Sequence, residues 1–493
     1  MARVFACCGE EVGGVVVLAV RVALSVVFAA SVLSSRADLI AQRAPIAPAV
    51  RSFVSVDTNV LALTNVRVID GTGTAPVEAQ TLIVRDGKII AMGRTVAIPT
   101  GAQVIDLSGR SVMPGMVMVH EHLFYPTGPG VYANLAESFS RLYLAGGVTS
   151  MRTGGNMNGF GDIAIAAAIA RGEKAGPWID ATAPYLDGPG LNFGQVRVLK
   201  DSADARRQVE YWANEGAGSF KAYMNITRDE LRAATSAAHK LGRKVTGHLC
   251  SVTYREAIAA GIDNLEHGFF AMNDFVPNKQ LDKCSARGGA AQTTVAALDP
   301  NSPQVQAIFQ ELIAKKVTVT STLTIFETLT PGRPIGAGLD MLLPQLQAQY
   351  QERYAATSMQ TQSVYKKLFP VGMAMERAFV RAGGELIVGT DPTGGGGLVP
   401  GYSNQRALEL LVEAGFTPLE AIRIGTLNGA MYLGRDAMVG SIAVGKQADF
   451  LVIDGNPAAQ IRDIRKVQMV FKQGVGYDPV AIRESVKGKV GLY

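Results

Sequence analysis

The chain has 493 residues but only five histidines, and two of them share the stretch VMPGMVMVHEHLF, residues 112 to 124. His120 and His122 flank Glu121 at the end of an apolar run. Residues two apart in a strand point to the same face, so Met118, His120 and His122 share one side and Glu121 takes the other. Two imidazoles placed that way can grip one metal ion. Alone, such a pair is a weak signal and more often structural. The chain offers partners for it. GSFKAYMN sets Lys221 inside a short apolar strand, where an unpaired lysine is costly. GRKVTGHL carries His248, GIDNLEHGFF carries His267, and GELIVGTDPTGGGG carries Asp391 ahead of a glycine-rich loop. Each polar residue follows an apolar run, at the C-terminal end of an expected strand.

Other polar residues read differently. Glu121 faces away from this group and suits a supporting or packing role. His239, in AATSAAHKLGRK, falls on a helix pattern and reads as structural. Arg152, Tyr185 and Tyr223 follow expected strands and are candidate substrate contacts, against simple packing or loop hydrogen bonding. Of the four cysteines, Cys7 and Cys8 lie at the extreme N-terminus and Cys250 and Cys284 are isolated. No C-x-x-C pattern suggests a cysteine-held metal, and Cys250 reads as a small buried hydrophobe beside a strand.

An alternation of short apolar strands and Ala-rich helices must position these groups. AGGVTSMRT, GDIAIAAAIARG and GPWIDATAPY illustrate it. Sustained over roughly 300 residues, it gives an α/β fold with a parallel array, and at that length a TIM-like (β/α)8 barrel leads. The barrel is expected over 115–435, with an added helical insertion near its mouth within 326–380. On either side, ALTNVRVIDGTG and VRDGKIIAMG, then MVGSIAVGKQADFLVIDGNP and VQMVFKQGVGY, read as β-hairpins with Asp-Gly turns. These predict a small β-sandwich built from 58–114 and 436–475. Residues 38–57 read as a Pro/Ala-rich linker and 476–493 as a C-terminal tail.

Residues 1–37 read as a cleaved export signal. The run GVVVLAVRVALSVVFAASVLSS is apolar apart from Arg21, and Ser35 and Ala37 stand at the small positions of a cleavage site. Glu10 and Glu11 occupy the place of a positive n-region, and a later start codon would leave Arg21 in that role. A membrane anchor is the competing reading. Export would place the mature protein in the periplasm or outside the cell, with no stable anchor after cleavage.

Hydrophobic residues make up 48% and charged ones 18%, which describes a globular chain and not a disordered or fibrous one. A formal charge of +5 without a dense basic block gives no support for nucleic-acid binding. The expected partners are a small-molecule substrate and further copies of the chain in a homo-oligomer.

The set of motifs resembles the amidohydrolase superfamily, in its binuclear branch with a carboxylated lysine. The matching stretches are VMPGMVMVHEH, AGGVTSMRTGG, SFKAYM, GHL, NLEHG and VGTDPTGG, followed by TLNGAMYLGRD and VGSIAVGKQADFLVID. The resemblance runs from residue 58 to about 475, and NLEHG and the β-domain wording are similar to the imidazolonepropionase-like and prolidase-like peptidases. It implies that His120, His122 and Asp391 hold a deeper divalent ion, zinc by expectation, and that His248 and His267 hold an outer one. Lys221, carrying a carbamate formed from carbon dioxide, would bridge the two. It further implies attack by a metal-bridging hydroxide on an amide of dipeptide or N-acyl amino acid type, with Asp391 as proton shuttle. A lactone or other ester is the alternative substrate, and a metal-free binding protein on the same fold is the alternative outside enzymes. Lys221 argues against the one-metal deaminases. Two departures stand out: APYLDGPG occupies the third strand, where related peptidases often carry a histidine in GGH, and Arg152-Thr153 replaces a more usual Arg-Asp.

Overall fold

The computed structural model describes residues 44–128, 131–190, 195–285 and 289–492. The expected export signal, Cys7 and Cys8 lie outside them. Eight parallel strands form the centre of the fold. In chain order they are Met116–Glu121, Val148–Thr153, Trp178–Asp180, Ser219–Ala222, Lys244–Gly247, Asn264–Glu266, Thr318–Ser321 and Leu386–Val388. Short β-branched runs such as TVTS and LIV are buried on both faces, as parallel strands covered by helices require. The first three strands pair in one parallel sheet and the remaining five pair in chain order in another. A bridge between Thr182 and Ser219 joins them on one side. On the other, the backbone amides of Thr390 and Asp391 donate to the His120 carbonyl at 3.1 and 3.0 Å. The strand order and parallel sense are those of a TIM-like barrel, although no continuous eight-stranded ladder closes among the described residues.

The helices between strands begin where the sequence signals a start. Thr227 with Glu230, Thr253 with Glu256 and Thr417 with Glu420 each form a capping box that satisfies otherwise orphaned amides. Helix Arg228–Lys240 then buries Leu231, Ala234 and Ala238 and leaves Arg232 and Lys240 in solvent. His239 is on its exposed side, where Nε2 meets Asp263 at 2.9 Å.

The N- and C-terminal segments meet in one nine-stranded sheet instead of two separate facing sheets. Ser111–Pro114 pairs antiparallel with Phe450–Ile453, stitching the two ends of the chain together. This sheet has its own apolar cluster, including Leu61, Val66, Leu82, Val112, Phe450 and Phe471. It also extends past the expected boundaries. Val54–Val56, inside the expected linker, pairs with Val475–Tyr477. The expected tail contains helix Pro479–Val486, which buries Pro479, Ile482 and Val486 and packs on helix Ala136–Gly146. The spacing of those three residues is helical, a signal present in PVAIRESV but easily lost in so short a segment. Within 326–380, Tyr365–Arg381 is the ordinary helix before the eighth strand, and Pro344–Ser358 is the added element near the mouth. Among the described residues no helix is long and apolar enough to cross a membrane.

Candidate metal centre

His120, His122, Lys221, His248, His267 and Asp391 all line one cavity of about 170 Å³ at the C-terminal ends of the parallel strands. Strand alternation puts His120 and His122 on the inner side. His122 Nε2 lies 3.0 Å and His120 Nε2 3.6 Å from Asp391 Oδ1, and His267 Nδ1 is 3.9 Å from Asp391 Oδ2. The ligating atoms of His120, His267 and Asp391 are all within 4.8 Å of one another. His248 packs edge-on against His267, ring centroids 4.2 Å apart. His267 and Asp391 both adopt left-handed backbone, with φ of 68° and 51°. For residues other than glycine this costs about 1–3 kcal/mol each and persists only where surrounding contacts enforce it. Two adjoining glycines allow the crowding: a Cβ on Gly389 would lie 2.5 Å from that of His120, and one on Gly154 would lie 2.4 Å from His120 Cδ2.

The protonation states suit metal ligation. Burial, the largest cause, holds the His120 imidazole well below its ordinary pKa and takes His248 down to about 3. Burial also lowers His267, helped by the neighbouring rings of His248 and His120. Neutral imidazoles are the ligating form. Burial pushes the Asp391 carboxyl up, but His120 and His122 outweigh it and keep the group well below the usual carboxylate range. Hydrogen bonds aim the rings: His122 Nδ1 meets the Gly155 carbonyl at 3.0 Å, leaving Nε2 toward Asp391. His267 Nδ1 meets Thr322 Oγ1 at 2.9 Å. This is a donor set that fits a divalent ion.

Glu121, as alternation dictates, points the other way. It accepts from the Thr390 amide and from Asn404 Nδ2, both at 3.0 Å, and burial raises its carboxyl to about 8. Because Thr390 precedes Asp391, Glu121 fixes the loop that carries the catalytic candidate.

Tyr185 and Tyr223 line the cavity, with ring centroids 4.6 Å apart, and burial pushes both phenols up, so they stay neutral donors. Arg152 does not reach the cavity. It is 1% exposed and donates to Ser219 Oγ, the Val119 carbonyl, Thr246 Oγ1 and Glu266 Oε1 at 2.8–3.1 Å. A strand position read as a substrate contact is therefore a buried cross-strand tie. Glu266, passed over in NLEHG, is central: its Oε2 touches Lys221 Nζ and lies 3.1 Å from His120 Nδ1. An acidic residue in an apolar strand, immediately before a candidate ligand, was the signal for it. Cys250 is likewise not a lone hydrophobe but forms a disulfide with Cys284. Their separation of 34 residues gave no sequence pattern, since the fold alone brings them together.

Residues 111–476 match the Amidohydrolase family. An imidazolonepropionase of Deinococcus radiodurans is 26% identical over 77% of this chain and 86% of its own length. A dihydroorotase of Pelobacter propionicus is 38% identical over 24% of this chain, a match spanning only 27% of that protein. Among solved structures, a candidate prolidase from Bifidobacterium longum is similar with a TM-score of 0.64 and 25% identity, covering 85% of this chain and 94% of the other. Strand-end ligands on a parallel α/β core and a family match over most of the chain lead to one assignment: the chain belongs to the amidohydrolase family, whose members generally use divalent metal ions.

Proposed function

We propose that this protein is a binuclear metal-dependent hydrolase that cleaves an amide bond of dipeptide or N-acyl amino acid type. The observation that carries the reading is the convergence of four imidazoles, Lys221 and Asp391 in one buried cavity. His120, His122 and Asp391 would hold one ion and His248 and His267 a second, with Lys221 between them. Burial and the nearby Arg152 charge hold the Lys221 amine well below its ordinary pKa, which favours the neutral amine that carbamate formation needs. Bound divalent ions would lower the pKa of an attacking water and polarise the scissile carbonyl. Asp391, ionised and open to the cavity, takes the proton of the attacking water and returns it to the leaving nitrogen. Tyr185 and Tyr223, held as neutral phenols, donate to oxygens of the substrate. Similarity to a candidate prolidase supports the peptidase-like choice within the family.

The test is a panel of dipeptides, N-acyl amino acids and lactones offered to the zinc-loaded protein. Cleavage of the first two classes supports the reading, and turnover of lactones alone would overturn it. We also propose export to the periplasm or exterior. The Cys250–Cys284 disulfide supports this, because such bonds persist mainly in oxidising compartments. N-terminal sequencing of the mature protein should begin near Asp38, and an intact Met1 in the cytosol would contradict export.

A further inference from the structure

Next to the metal cavity lies a second, larger pocket of about 530 Å³. Tyr132 and Gly394 line both, so the two spaces adjoin at those residues. The outer pocket is lined by Tyr125, Tyr132 and Tyr350 and by the glycine loop 394–396. Its cation is Arg353, from the added helix Pro344–Ser358. The guanidinium lies flat against the loop that begins at Asp391: a Cβ on Gly395 would sit 1.8 Å from Arg353 Cζ. Tyr125 pins the same loop by accepting from the Gly397 amide at 2.7 Å. No described carboxylate forms an ion pair with Arg353. Burial raises the Tyr132 phenol, Asp391 adds to that and Arg353 opposes it, so this one ring lies in the field of both charges. Tyr132 thus stands between the metal cavity and the pocket that holds Arg353, lining both.

We infer that Arg353 anchors a carboxylate on the portion of the substrate that occupies the outer pocket, with the three tyrosines receiving an apolar or aromatic side chain. This rests on the proposed amide hydrolysis and deepens it, by assigning the residue that holds the free carboxylate which both proposed substrate types carry beyond the scissile bond. Arginine suits the task because its planar fork pairs with a carboxylate through two hydrogen bonds.

The test is binding, measured by calorimetry on full-length, zinc-loaded Asp391→Asn protein, which should not turn its ligand over. The probes are N-acetyl-L-phenylalanine and its methylamide. The acid is expected to bind about tenfold more tightly than the methylamide. Adding Arg353→Gln should erase that difference, and Arg353→Lys should restore part of it. Equal binding of the two probes with Arg353 intact, equal weakening of both by Arg353→Gln, or no binding of the acid would overturn the anchor. Hydrolysis by the unsubstituted protein separates the two ideas. If neither probe is cleaved while the arginine-dependent difference persists, the hydrolytic reading fails and the anchor stands. If both are cleaved with equal kcat/KM, the anchor fails alone.

Discussion

At the rim of the parallel strands, His120, His122, His267 and Asp391 turn their ligating atoms toward one another, with the three imidazoles 3.0–3.9 Å from the Asp391 carboxylate. One layer deeper, Arg152 directs its donors to four protein oxygens, including Glu266, and is closed off from the cavity. Both layers are buried and charged. The upper one turns its ligating atoms to a cavity and is strained in its backbone at His267 and Asp391; the lower one spends its donors on protein oxygens. Burial and charge alone therefore do not mark a functional group. What marks it is a set of ligating side chains aimed together at a cavity.

Substitution separates the layers. Asp391→Asn should lower turnover by about 10²–10⁴ while hardly moving Tm, since asparagine tolerates left-handed backbone and fills the same space. Arg152→Met should instead cost about 3–5 kcal/mol of stability, because it removes the guanidinium from buried Glu266. Thermal melts and steady-state kinetics on both variants check the contrast; a stable Arg152→Met protein would erase it.

A smaller effect concerns Glu376, buried on helix Tyr365–Arg381 behind the strand ends. Burial raises its carboxyl to about 8, partly offset by Ser321. With a folded pKa above the unfolded one, the stability it contributes is complete below the unfolded pKa and is lost as pH rises through about 8. Glu376→Gln lacks that loss. Its Tm at pH 9 should exceed that of the parent by about 2–4 °C, with the gap closing near pH 5. A gap independent of pH would show that Glu376 is not held protonated.

The upper layer was legible in the sequence because alternation and strand ends fix where a side chain points. His120, His122, His248, His267 and Asp391 each follow an apolar run, and the run itself tells the face. The lower layer was not. Arg152 occupies a strand like the others, but its depth depends on which strands neighbour it, and partners such as Thr246 and Ser219 are distant in sequence. The Cys250–Cys284 link and the pairing of Val54–Val56 with Val475–Tyr477 were hidden for the same reason. Arg353 is a further case: in the sequence it is one charge on a polar helix, and only the fold lays it against the loop after Asp391.

Elemental analysis of the purified chain, beside that of Lys221→Ala, probes the centre itself. About two divalent ions per chain are expected, with the loss of at least one in the variant. A native chain carrying no metal, or a variant with undiminished metal, would contradict the binuclear assignment.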